Sequence, residues 1–178
     1  MARPLCARWF ALLVILALAA CDGSSPTYSS GSARLAVRMT DAPVAGASAV
    51  NVHITGLVVK RSGSPVERIA GDVGVVELLA LDGTSALLVT AQVEPGTYEF
   101  IQVELDPDGS TVVEEGSGDI FPLAIASREI KVLGGFTLQE DGTTTVLLDF
   151  DAAASLRLLG NDDWLLTPVI SLANVSVG

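Results

Sequence analysis

Residues 33–40 read ARLAVRMT, and residues 49–60 read AVNVHITGLVVK. In the first stretch Ala33, Leu35, Val37 and Met39 fall on one side of a two-residue period, with Arg34, Arg38 and Thr40 on the other. That alternation is the signature of a half-buried strand. The turn residues Asp41-Ala42-Pro43 end it. The second stretch alternates through Val50, Val52 and Ile54, slips phase at Gly56, and resumes with Leu57 and Val59. A glycine at a phase slip predicts a bulge or bend inside a long strand.

The same pattern continues to the end of the chain. Strands are expected near 65–69, 75–81, 86–93, 98–105, 120–126, 130–138, 143–150 and 164–173. Turn chemistry separates them: Asp82-Gly83, Pro95-Gly96, Asp108-Gly109, Glu140-Asp141-Gly142 and Asn161-Asp162-Asp163. No window holds a sustained helical period. Two windows, 78–81 and 151–156, fit short helical turns as the alternative to strand. There is no internal repeat. Many short strands with regular turns predict an all-β, antiparallel β-sandwich over residues 33–178.

The N-terminus has another logic. Residues 1–20 carry Arg3 and Arg8, no acid, and an apolar run from Trp9 to Ala20. That is the layout of a cleaved secretory signal, and the run falls short of the ~20 residues a bilayer span needs. Leu18-Ala19-Ala20-Cys21 resembles the lipobox of bacterial lipoprotein precursors. The resemblance implies a diacylglyceryl thioether on Cys21, cleavage before it, and a Cys21 that becomes the acylated N-terminus. Two or three acyl chains anchor durably, where a single chain does not. Residues 22–32, DGSSPTYSSGS, are a flexible tether with a reach of roughly 18 Å. Asp22 leaves inner and outer membrane both open.

Removal of the signal leaves 158 residues with 8 basic and 21 acidic side chains, a formal charge of −13. Such a chain repels phosphate backbones, which argues against nucleic acid, and as a whole it stands off from anionic lipid. Cys6 leaves with the signal. With Cys21 alone, neither an internal disulfide nor a thiolate metal site can form.

Candidate chemistry is sparse. His53 is the only histidine and lies on the polar side of its strand. No nucleophile motif accompanies it, so an exposed strand residue is expected. Asp106-Pro107-Asp108-Gly109 resembles the start of a calcium loop, but Glu114 and Glu115 have the wrong spacing to complete one. A turn between strands accounts for the same residues. Asp149 and Asp151 are two apart on a strand, where both carboxylates can share a face and act as acid and base or hold a cation. Strand-end capping is the plainer expectation. Trp164 and Tyr98 are candidates for a sugar-stacking surface, with core packing as their usual role.

The landmarks then fall in order: LAVRMTDAPVAGASAVNVHITGLVVK, VELLAL, VEPGTYEFIQVEL, GGFTLQEDGTTTVLLDFDAAASL and WLLTPVI. Together they resemble the bacterial lipoprotein domain called domain of unknown function 4382, across nearly all of residues 33–173. Glu77 stands where that family usually has aspartate, and no tryptophan occurs between Ser62 and Asp72. The resemblance implies a β-sandwich of prealbumin or immunoglobulin-like type on lipidated or secreted proteins, and it brings no catalytic residues. Pro95-Gly96-Thr97-Tyr98 is also similar to the turn-and-tyrosine of carboxypeptidase-regulatory-like domains.

The leading expectation is a non-catalytic binding or structural module in the bacterial cell envelope. It is anchored through a lipid on Cys21, needs no cofactor, and meets an envelope protein or glycan. Two alternatives differ in class. One is a hydrolase using Asp149 and Asp151. The other is a calcium-binding, adhesin-like domain using Asp41, Asp106 and Asp108.

Overall fold

The computed structural model describes residues 31–161 and 163–178. The signal, Cys21 and nearly all of the tether lie outside them. Twelve strands follow in chain order: β1 (Ala33–Asp41), β2 (Ala47–Arg61), β3 (Val66–Ala70), β4 (Gly74–Glu77), β5 (Ala86–Val93), β6 (Gly96–Glu114), β7 (Ile120–Ile125), β8 (Glu129–Leu138), β9 (Thr143–Phe150), β10 (Leu156–Leu158), β11 (Trp164–Leu166) and β12 (Ile170–Val177). The strand expected over 75–81 stops at Glu77, and the alternative holds at both windows: a 3-10 turn at Leu79–Leu81 and a four-residue α1 at Ala152–Ser155.

The strands make two sheets. The small one has the order β12-β9-β1-β5. The large one runs β10-β11-β7-β6-β2-β3, with β4 also on β2 and β8 also on β6. β2 and β6 are long enough to take two partners each along one side. β3 and β4 share β2, while β7 and β8 share β6.

The inner faces follow from the alternation. Leu35, Val37 and Met39 of β1 and Val146, Leu148 and Phe150 of β9 are fully buried. Opposite them lie Val50, Val52, Ile54, Leu57 and Val59 of β2, with Tyr98, Ile101, Val103 and Leu105 of β6. Each such side chain contributes roughly 1.5–3 kcal/mol by leaving water. The all-β sandwich expectation therefore holds.

Three expectations need correction. The sheets are mixed, not purely antiparallel, because β1 runs parallel to β9 and β11 parallel to β7. Asp106 to Gly109 is not a turn between strands. β6 continues through it, and the surplus residues bulge out between the pairs Asn51–Thr111 and His53–Asp106. The apolar run 164–173 is two strands in different sheets, β11 in the large one and β12 in the small one. Pro168 lies in the gap, where it has no backbone N–H to lend a ladder.

Gly56 does mark a bulge, since the register shifts between Ile54 and Gly56. The structure adds a second reason for glycine. Arg68 and Glu104 meet in a two-pronged ion pair, at 2.7 and 2.8 Å, directly over Gly56. A Cβ there would run into both side chains.

Candidate functional site

The acids singled out in the sequence form two separate groups. The first sits where β1 and β9 end side by side. Their parallel register pairs Thr40 with Asp149 and Asp41 with Phe150. Asp41 is the next inward position after Ala33, Leu35, Val37 and Met39, so its side chain enters the core and is only 5% exposed. Its Oδ1 accepts the Ala152 N–H at 2.9 Å, and its Oδ2 has no partner. Burial pushes the Asp41 carboxyl up to about 6. The N–H groups of Ala152 and Ala42 oppose this, and the charges of Asp149 and Asp151 add to it. Asp149 lies half-buried on β9, whereas Asp151 stands beyond the strand as the N-cap of α1, accepting the Ala154 N–H at 2.8 Å. Asp151 therefore caps the helical turn that follows the strand and does not share a strand face with Asp149.

The second group surrounds the β6 bulge. Asp106 Oδ1 accepts the Asp108 N–H at 3.1 Å and lies 3.8 Å from Arg128. Gly109 has φ +87°, a left-handed conformation that favours glycine. The Ser110 hydroxyl donates to the Asp106 carbonyl at 2.6 Å and accepts the His53 N–H at 2.9 Å. His53 closes the cluster. Its Nδ1 lies 2.9 Å from the Asp108 carbonyl, and its Nε2 lies 2.9 Å from Asp72 Oδ1.

Both partners of that imidazole are acceptors, so both contacts are hydrogen bonds only when the ring carries two protons. Its pKa is accordingly raised, first by the Asp108 carbonyl and then by Asp72. Asp72 is lowered, mainly by His53 and then by the Gly74 N–H. His53 thus adds stability below its unfolded value and loses it as pH climbs through its raised folded value. Asp72 adds stability above its unfolded value and loses it as pH falls through its lowered one. Since His53 is the sole histidine, NMR titration of its ring protons reads this directly. Asp72→Asn should bring the His53 pKa down toward the ordinary value. An unchanged titration curve would show that the contact does not form in solution.

Asp41 is not brought together with Asp106 and Asp108. Asp41 lies in the small sheet, while the other two ride on β6 in the large one. Among the described residues, no three His, Cys, Asp or Glu side chains converge as a metal-holding group. Trp164 and Tyr98 are 5% and 0% exposed, so neither offers a sugar-stacking surface. Tyr98 instead stacks on Phe136, with centroids 5.3 Å apart and planes 8° from parallel. Its hydroxyl donates to the Glu94 carbonyl four residues back, at 2.7 Å. That is the corner-tying role of a tyrosine in β-sandwiches.

Sequence reasoning missed Asp72 and Ser110, and met Glu77 only as a departure from the family pattern. Glu77 Oε1 accepts the N–H groups of Val50 and Leu79, which fixes β2 to the 3-10 turn. Ser110 directly follows Asp106-Pro107-Asp108-Gly109, and that adjacency was its available signal. Asp72 had none, since its partner lies 19 residues away.

Fold and site together define an all-β, sandwich-like domain in which these carboxylates hold the protein's own turns and strand ends. Residues 32–168 match the family model for domain of unknown function DUF4382, and the chain belongs to that family. No curated protein and no solved structure matches it.

Proposed function

We propose that the protein is a lipid-anchored lipoprotein of the bacterial cell envelope, displaying a non-catalytic β-sandwich as a binding or structural module. One observation carries the non-catalytic part. Asp41, Asp106, Asp151 and Glu77 each accept backbone N–H groups that fix a turn or a strand end. A carboxylate engaged in this way is occupied with structure, and proton transfer asks for one that meets a substrate in a cleft. The anchoring part is supported by Leu18-Ala19-Ala20-Cys21 and by the polar tether that follows. No helix among the described residues is long and apolar enough to cross a membrane. On this reading the envelope protein or glycan it meets is taken by loops or by a sheet face.

Feeding an alkyne analogue of palmitate to bacteria expressing the full chain tests the anchor. The wild type should incorporate the label and partition with membranes. Cys21→Ser should lose both. Equal labelling of the two forms, or a Cys21→Ser chain that stays with the membranes, would overturn the anchor.

A further inference from the structure

The outer face of the large sheet changes character along its length. Residues paired directly across strands share a face. At one end the register sets Leu133 of β8 beside Phe100 of β6, Phe100 beside Lys60 of β2, and Lys60 beside Val66 of β3. The next row inward is Lys131, Gln102, Val58 and Arg68. These two rows hold no acid. They hold both lysines of the entire chain. Leu133 is 75% exposed, more than any other large apolar side chain described, and Val66 is 60% exposed. The Lys131 ammonium lies over the Phe100 ring, 5.1 Å from its centre. Acids return in the third row with Glu129 and Glu104.

We propose that this apolar, lysine-flanked end of the large sheet is a contact surface for an anionic lipid bilayer, with Leu133, Phe100 and Val66 entering the interface and Lys60 and Lys131 meeting headgroup phosphates. This rests on the lipid-anchor reading. Three observations select a bilayer as the occupant. The first is where the chain leaves the domain. Gly31 and Ser32 share a surface pocket with Glu67 and Glu94. Glu67 directly follows Val66 in β3, so the tether departs at the apolar end of the sheet. The second is length. A tether reaching roughly 18 Å is shorter than β6, whose 19 residues extend on the order of 50 Å with the bulges allowed for. The end near the tether is therefore the end held at the membrane.

The third is charge. The mature chain is strongly acidic, yet its two lysines stand together on this patch. Glu94 is engaged by Arg61 and Glu104 by Arg68, Glu99 stands at the rim, and Glu140 and Asp141 flank the tether exit off the two rows. Glu67 pairs with the inward-facing Val59, so it lies on the opposite side of β3 from Val66. An anionic surface attracts the patch and repels the remainder, so the field orients the domain as well as holding it. The Lys131 stem lets its ammonium reach phosphate while the apolar side chains sit deeper, and the Lys60 ammonium, which donates to the Ser64 carbonyl in the β2–β3 turn, places its charge at the patch edge.

The test uses the full chain, purified with its own lipid and reconstituted into 3:1 phosphatidylcholine–phosphatidylglycerol vesicles. A polarity-sensitive fluorophore is attached at Leu133→Cys. The reference label goes at Leu87→Cys, 53% exposed on the outer face of the small sheet, where it pairs with Arg38. The Leu133 label should emit to the blue of the Leu87 label and be quenched several-fold less by aqueous iodide. Lys131→Glu, or vesicles of phosphatidylcholine alone, should abolish the difference. Matching emission and quenching at the two positions overturns the proposal. So does a Leu133 shift that persists without anionic lipid and grows with protein density, which would indicate a second copy on the patch. Flotation reads the anchor separately. A chain that does not float with vesicles overturns the anchor, whereas one that floats with Leu133 in water overturns only the contact surface.

Discussion

Tyr98→Ala should cost about 4 kcal/mol of folding stability, the range for removing a large buried aromatic side chain. Tyr98 is fully buried and faces the inner side of β6. Truncation removes its stacking on Phe136 and leaves a void between β6 and β8, where the two residues are paired in register. It also strips the Glu94 carbonyl of its hydroxyl donor at the turn that starts β6. For a domain holding roughly 5–15 kcal/mol in total, a loss of that size takes a large share. Tyr98→Phe separates the two contributions. It keeps the ring and removes only the hydrogen bond, so a loss of about 1 kcal/mol is expected. Urea unfolding followed by Trp164 fluorescence measures both, because Trp164 is the only tryptophan beyond Trp9 and is itself buried. A cost for Tyr98→Ala no greater than for Tyr98→Phe would mean that the stacked ring does not hold the two strands together.

Legibility in the sequence tracked how local the cause was. The strands of β1 and β2 could be read because burial in them repeats every second residue. Gly56 could be read because a phase slip shows within a few positions. The Pro95-Gly96-Thr97-Tyr98 corner is likewise contained in a single turn. The parallel pairing of β1 with β9 could not be read, because the register joins residues over a hundred positions apart and no local pattern encodes it. The bulge at Asp106 to Ser110 has the same local chemistry as a turn between strands. What separates the two is whether β2 resumes pairing on the far side, as it does at Thr111. The run 164–173 failed for a similar reason, since apolar residues continue through a change of sheet. His53 was placed correctly on an outward side, yet its partnership with Asp72 depends on how β3 and β4 share β2. Asp41 is the instructive case. The alternation that identified β1 also puts position 41 inward, so a buried carboxylate was implied by the very pattern that ended in an apparent turn residue.

That burial gives Asp41→Asn an expected effect that depends on pH. Asp41 in the folded protein has its pKa raised from 3.8 to about 6. The folded state therefore binds the proton more tightly than the unfolded chain, so the Asp41 contribution is fully present below pH 3.8 and is lost as pH rises through about 6. Each unit of difference corresponds to about 1.4 kcal/mol, so above pH 7 the ionised carboxylate costs the fold roughly 2–3 kcal/mol. Asparagine keeps an oxygen for the Ala152 N–H and does not ionise. The stability difference between Asp41→Asn and wild type should be small near pH 4, climb between pH 4 and 6, and level off above 7 in favour of the variant. Titrating groups with no charge coupling to Asp41, His53 among them, are present in both chains and drop out of the difference. Asp41→Ala is the control. It removes the charge but leaves the Ala152 N–H without its acceptor, so about 1–3 kcal/mol is given back at every pH. Urea unfolding of the three chains from pH 4 to pH 8 decides the matter. A flat difference between asparagine and aspartate across that range would mean that water reaches Oδ2 and that the inward end of β1 is open.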